Sequence, residues 1–221
     1  MKKALPLLCC VLLLGSLAFA DTFAIETSRT GSDLVDWGQL GPTFTVVPSP
    51  FNAVSNGGRT LTGNDNGNFE RRDEGNGWDG IFTIGDHLLW NQDNGNAIDI
   101  HFNSPISNGG AQIQNDFFGF FTGCIQALGS FGASPVFCVN GNNTGAEDNS
   151  APFIGIADLS GGNITDLIFT TTGGETNATA INQLSFTPGG GGGNVPEPAS
   201  LALLGTGLVG LAHRLRKRRQ S

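Results

Sequence analysis

Between residues 21 and 194 the sequence contains no lysine, and its only basic residues are Arg29, Arg59, Arg71 and Arg72. Without lysine, this segment has neither the phosphate-binding residue of a P-loop nor an amine for Schiff-base chemistry. Eighteen of its residues are aspartate or glutamate, so its formal charge is 4 − 18 = −14. Because so acidic a surface repels polyanions, we expect no nucleic-acid partner.

Residues 1–20 have the form of a secretory signal peptide. Two lysines follow the initial methionine, an apolar stretch occupies residues 7–17, and Ala18 and Ala20 form a small-residue cleavage site before Asp21. This arrangement predicts export and removal of the first 20 residues.

Cysteine is scarce, and the two cysteines near the start lie within the predicted signal peptide. Cys124 and Cys138 then remain as an even pair in an oxidising compartment, which favours a disulfide. A metal site or a catalytic cysteine is the alternative interpretation.

Motifs of nucleophilic or zinc-dependent catalysis are also missing, because the sequence has neither H-E-x-x-H nor G-x-S-x-G. Nothing in the sequence places two carboxylates together as a glycosidase requires. We therefore expect a protein that is not an enzyme.

No segment of residues 21–187 keeps a helical period, which predicts an all-β domain. Ten short apolar or alternating runs are bounded by Gly, Asn, Asp, Ser or Pro; they cover residues 23–27, 43–47, 81–84, 97–102, 111–115, 117–128, 136–139, 153–157, 166–171 and 180–187. This spacing favours an antiparallel β-sandwich, with jelly-roll and immunoglobulin-like topologies left open. Residues 117–128 are apolar on both faces, so we expect a central strand with its phenylalanines in the core.

The most polar stretch of the domain, residues 64–86, contains candidate calcium ligands. Hard oxygen ligands on loops are the chemistry that Ca²⁺ requires, although the spacing matches no EF-hand. The candidates are Asp65, Glu70, Asp73, Glu74 and Asp79. A solvated acidic loop that needs no cofactor is the alternative.

The three tryptophans, Trp37, Trp78 and Trp90, lie near turn signals. An exposed indole is apolar with one polar edge, which suits stacking against a sugar ring. The alternative is that each ring closes one end of the core.

Residues 195–221 combine a Pro196-Glu197-Pro198 signature, an apolar run at residues 199–212 and a terminus with five basic residues. The uncharged run is shorter than the roughly 20 residues of an unstrained membrane-spanning helix, and its basic flank should stay in the cytoplasm. In this order the three parts resemble the PEP-CTERM sorting signal of Gram-negative bacteria. The resemblance implies an exosortase-type processing protease and a periplasmic domain anchored in the inner membrane, later released to the cell surface or extracellular matrix.

A second resemblance covers residues 97–121, 151–156 and 181–186, which are similar to exported β-sandwich domains found upstream of such tails. Residues 188–194 form a glycine-rich linker between the domain and the signal. We therefore expect an envelope or matrix protein with a structural or adhesive role in exopolysaccharide. The alternative is a carbohydrate-binding module that uses its tryptophans, with or without calcium.

Overall fold

The computed structural model describes residues 22–174 and 178–189. The predicted signal peptide with Ala18, Ala20 and Asp21, most of the glycine-rich linker and the whole sorting segment lie outside these residues. Within them, no helix is long and apolar enough to cross a membrane. The described chain contains a short 3-10 helix at Trp37–Leu40 and the strands β1 (Phe23–Glu26), β2 (Asp33–Val35), β3 (Thr45–Val47), β4 (Phe51–Val54), β5 (Thr60–Asn64), β6 (Phe69–Glu74), β7 (Gly77–Trp78), β8 (His87–Trp90), β9 (Ile98–Asn115), β10 (Gly119–Gly129), β11 (Gly132–Ala133), β12 (Phe137–Asn143), β13 (Phe153–Asp158), β14 (Ile164–Thr172), β15 (Thr179–Ile181) and β16 (Leu184–Pro188).

Strand β9 organises the fold because it takes part in both layers of the sandwich. Its first residues pair with β5 and β14, which extends one layer in the order β12-β10-β14-β9-β5-β4. Its later residues pair with β13 and β16, which gives a second layer in the order β1-β13-β9-β16-β2. The all-β, antiparallel prediction is thus confirmed, and the choice between jelly-roll and immunoglobulin-like topology stays a prediction.

The core lies between the two layers. Ile98 and Ile100 of β9 are fully buried, as their alternation with polar residues predicts. Phe102 of the first layer meets Phe186 of the second at a ring-centroid distance of 5.1 Å. Both layers contribute to a single apolar cluster.

The middle of β9 was not predicted as a strand, because Pro105, Gly109 and Gly110 are residue types that commonly interrupt strands. The structure instead uses Gly109 and Gly110 where neighbouring strands approach closely. A Cβ atom on Gly110 would lie 2.4 Å from the Ile154 carbonyl oxygen and 2.5 Å from the Gly155 Cα atom. These glycines therefore serve packing between paired strands rather than a turn.

A smaller sheet continues from the last residues of β9. Strand β15 pairs with residues 113–115 of β9 and with β8, and β8 pairs with β6, which pairs with β3. This sheet packs over a second apolar cluster that includes Trp78, Phe82 and Phe121.

The predicted disulfide is confirmed, since Cys124 of β10 and Cys138 of β12 stand directly opposite and are bonded. The predicted phenylalanine cluster on the same strand is wrong. Phe121 is buried, whereas Phe118 is 67% and Phe120 84% exposed. The strand begins only at Gly119, so the preceding phenylalanines lie in a turn and Phe120 takes the outward position of the alternation.

Candidate functional site

An open cleft of about 540 Å³ lies where the turn between β9 and β10 meets the small sheet. Strands β6, β7 and β8 supply one wall and the turn supplies the other. Its lining is rich in aromatic side chains with a few charged groups: Arg72, Gly77, Trp78, Asp79, Trp90, Asp116, Phe117 and Phe118.

Two of the three tryptophans meet in this cleft. Trp78, the last residue of β7, is buried, and Trp90, the last residue of β8, is half-buried. Their ring centroids are 5.7 Å apart with an interplanar angle of 65°, an edge-to-face pair. The Trp90 Nε1 group donates a hydrogen bond of 3.1 Å to Asp93 Oδ1, which fixes the ring.

Trp37, in contrast, is a core residue. Its side chain is fully buried, and its Nε1 group donates a 2.7 Å hydrogen bond to the Asn182 carbonyl oxygen. Its ring packs edge-to-face against Phe51 at 6.3 Å. The structure therefore places Trp37 apart from the other two tryptophans.

Arg72 is held flat in the wall of the cleft. Its guanidinium carbon lies 4.4 Å from the ring centroid of Phe44 and 4.9 Å from that of Trp90, so the cation stacks between two aromatic faces. Its Nη1 group donates to the Gly77 carbonyl oxygen at 2.7 Å, and Nε lies 2.5 Å from Glu70 Oε1. The charge of Arg72 is thus already balanced within the protein.

Phe117 and Phe118 form the opposite rim and are 42% and 67% exposed. The Phe118 ring lies against Gly145, where a Cβ atom would come within 2.8 Å of the ring. The φ of Gly145 is +66°, so both the close contact with Phe118 and the backbone conformation favour glycine at this position. Large apolar side chains exposed together beside a cleft are typical of binding surfaces.

A buried carboxylate, Glu74, holds the loop of residues 79–86 beside the cleft. Glu74 is 1% exposed and accepts hydrogen bonds from the backbone N–H groups of Gly80 at 2.6 Å and Phe82 at 3.1 Å. Burial raises the pKa of Glu74 to about 7, with a further contribution from the charges of Glu147 and Asp79. Residues 81–84, predicted as a strand, belong to this loop instead.

The five candidate calcium ligands are largely engaged by protein groups. Asp65 accepts from Asn94, Glu70 is paired with Arg72 and accepts from Gln92, Asp73 is paired with Arg71, and Glu74 is buried beneath the loop that carries the exposed Asp79. Throughout residues 22–174 and 178–189, no three His, Cys, Asp or Glu side chains are placed to hold a metal ion. The calcium site stays a prediction.

Sequence reasoning missed Arg72, Phe44 and the two rim phenylalanines. Phe44 has a φ of +67°, an outlier for a bulky residue. Phe117 and Phe118 immediately precede Gly119, and this glycine was the available signal that a turn interrupts the apolar run.

Comparison with known proteins gives one match to a family model, which covers residues 194–219 and describes the PEP-CTERM protein-sorting motif. No curated protein matches the chain. Among solved structures, CsCBM6-3 from Clostridium stercorarium in complex with cellobiose is 11% identical, with a TM-score of 0.32 over 67% of this chain and 98% of that chain. A likeness at this TM-score assigns neither a topology nor a ligand. The chain therefore carries a PEP-CTERM sorting signal, which marks it as an exported protein, and joins that signal to an antiparallel all-β domain.

Proposed function

We propose that the exported domain binds polysaccharide through the aromatic cleft and has a structural or adhesive role, without catalysis, in the cell envelope or extracellular matrix. An exosortase-type protease would first process the inner-membrane-anchored form at the sorting signal. Exopolysaccharide is the partner that suits this location.

The observation that carries the proposal is the convergence of the half-buried Trp90 with the exposed Phe117 and Phe118 around one open cleft, where the buried Trp78 packs edge-to-face against Trp90. Aromatic rings offer flat apolar faces to the C–H faces of a pyranose, and the polar groups at the edge can bond its hydroxyls. The cleft is open at the surface, which lets a long chain pass through it. Because Arg72 is already paired with Glu70, the site has no uncompensated cation for an acidic polymer.

Replacing Trp90 with alanine should weaken polysaccharide binding about tenfold, which corresponds to about 1.4 kcal/mol. We would test the full-length protein in a zwitterionic detergent without a sugar headgroup. The probes are the hexasaccharides of cellulose, laminarin, mannan and chitin. Phe120→Ala is the matched control, because Phe120 is an exposed aromatic residue that does not line the cleft.

The cleft would be refuted as the binding site if the wild-type protein bound none of the four hexasaccharides. It would also be refuted if Trp90→Ala and Phe120→Ala lowered the affinity equally. Asp79 and Asp116 line the same cleft, so each incubation is also assayed for new reducing ends. Their release by wild-type protein, and not by Asp79→Asn, would replace the binding proposal with a hydrolase.

Replacing Pro196, Glu197 and Pro198 with alanine should abolish processing of the tail. In the native host, intact mass of the wild-type protein should show loss of the basic terminus, whereas the triple variant should keep it and stay in the inner membrane. If both proteins keep the tail and fractionate alike, the matrix role loses its support.

A further inference from the structure

A second concavity, here called the amide pocket, encloses about 360 Å³. The loop of residues 79–86 contributes Asp79 to the aromatic cleft and Thr83 and Asp86 to the amide pocket. Side chains from several distant segments complete its lining, and those used below are Arg29, Gln112, Asn149, Phe153 and Asn182.

Amide side chains orient one another at the floor of the pocket, where Asn182 is buried, Gln112 is half-buried and Asn149 is exposed. Asn182 is 1% exposed, and its Nδ2 group donates to Asp86 Oδ2 at 3.0 Å and to Gln112 Oε1 at 2.6 Å. Gln112 Nε2 in turn donates to Asn149 Oδ1 at 2.9 Å. The Gln112 side chain is further fixed by a 2.9 Å bond to the Ala151 carbonyl oxygen. The polar groups are therefore set in position before any ligand arrives.

Several hydrogen-bonding atoms of this network remain available at its rim. Within the described residues, neither Asn149 Nδ2 nor Asp86 Oδ1 has a protein partner, while Asn149 Oδ1 and Asp86 Oδ2 are both used. Arg29 is exposed and donates through Nη1 to Gln183 Oε1 at 2.9 Å, and its other N–H groups have no partner among residues 22–174 and 178–189. The pocket thus presents donors and an acceptor together.

The combination favours an uncharged ligand rich in hydroxyl groups. A hydroxyl both donates and accepts, so it can use Asp86 on one side and Asn149 or Arg29 on the other. Arg29 and Asp86 give the lining one positive and one negative charge, so the pocket has no net charge to favour an ionic ligand. Phe153 adds an aromatic surface to the lining, as sugar sites commonly have.

We propose that the amide pocket is a second carbohydrate-binding site, which takes a neutral sugar unit independently of the aromatic cleft. The identification of the ligand as carbohydrate rests on the proposed function. The geometry of the pocket does not, because it involves none of the aromatic residues of the cleft.

The three indole N–H groups give a separate reporter for each site. Trp78 and Trp90 line the cleft, whereas the fully buried Trp37 bonds the carbonyl of Asn182 in the floor of the amide pocket. In ¹⁵N-labelled full-length protein, in the same detergent, each indole signal is assigned with a Trp→Phe variant. The four hexasaccharides are then titrated in turn.

We expect one probe to shift all three indole signals. The Arg29→Ala/Asn149→Asp variant should raise the dissociation constant reported by the Trp37 signal at least tenfold. The dissociation constant reported by Trp78 should not change. Asn149→Asp keeps the acceptor and a side chain that tolerates the φ of +64° found there. Asn142→Asp, the same change on an exposed strand position, is the matched control and should alter neither constant.

A Trp37 signal that does not move, or that moves equally in the pocket variant, overturns the second site. If Trp37 shifts while Trp78 and Trp90 do not, the aromatic cleft is refuted and the amide pocket stands. If only the cleft signals shift, the proposed function survives and the further inference fails.

Discussion

Between pH 5 and pH 8 the free energy of unfolding of wild-type protein is expected to fall, and the Glu74→Gln variant should lose much of that fall. The folded protein holds the pKa of Glu74 at about 7, against an ordinary value of 4.5. From pH 4.5 upward the unfolded chain releases this proton while the folded protein retains it, so stability decreases until about pH 7 and then levels off. At about 1.4 kcal/mol per pH unit, the full effect is about 3 kcal/mol.

The measurement is urea unfolding at half-unit pH intervals. Glutamine accepts only one of the two backbone hydrogen bonds made by Glu74, which lowers stability by an amount that does not depend on pH. The slope with pH, not the absolute stability, is therefore the readout.

Asp99→Asn is the control for this slope. Burial, together with the charge of Asp166, raises the pKa of Asp99 from 3.8 to about 6. Asp99 therefore produces its own fall in stability at lower pH, and its replacement should leave the change between pH 6 and pH 7 intact. A Glu74→Gln variant with the wild-type slope throughout would show that Glu74 does not titrate in this range.

Trp37→Ala should lower the free energy of unfolding by about 3–5 kcal/mol, the cost of removing a large buried aromatic side chain. Trp37→Phe should cost less, because it fills most of the volume and leaves only the Asn182 carbonyl oxygen without its donor, a loss of about 1–3 kcal/mol. Trp90→Ala, at the half-buried edge of the cleft, should cost less than Trp37→Ala.

Denaturant unfolding monitored by circular dichroism separates these variants. The order of stability should be wild type, then Trp37→Phe, then Trp37→Ala. If Trp37→Ala were as stable as wild type but defective in hexasaccharide binding, Trp37 would be a ligand contact and its assignment to the core would be wrong.

The sequence was sufficient where a local pattern dictates burial. Alternation in residues 98–102 predicts a half-buried strand, and the paired cysteines on either side of a glycine-containing turn predict the cross-strand bond. The alternation depends on adjacent residues, and the two cysteines are only 14 positions apart.

Long-range pairing was not accessible from the sequence. Strand β6 has the sequence Phe-Glu-Arg-Arg-Asp-Glu and reads as a solvated acidic loop, yet Arg71 is 3% and Glu74 1% exposed. The charged groups are buried because they pair with each other and with backbone groups of other segments. Likewise, Trp37 and Trp90 both lie near turn signals, and the contacts that make Trp37 a core residue, such as those with Phe51 and the distant Asn182, are made by the tertiary fold.

The pairing of β16 with β9 determines how a pulling force would pass through the domain. Pro188 of β16 stands opposite Ile106, whereas the aromatic cleft lies beyond Asn115 at the end of β9. Nine residues of strand, about 30 Å, separate the two points. Tension between a polysaccharide in the cleft and a tether leaving β16 would run parallel to these strands. Since the backbone hydrogen bonds lie across that direction, they would be sheared together rather than opened one at a time, so the strand pair would resist the pulling force with all of its bonds at once.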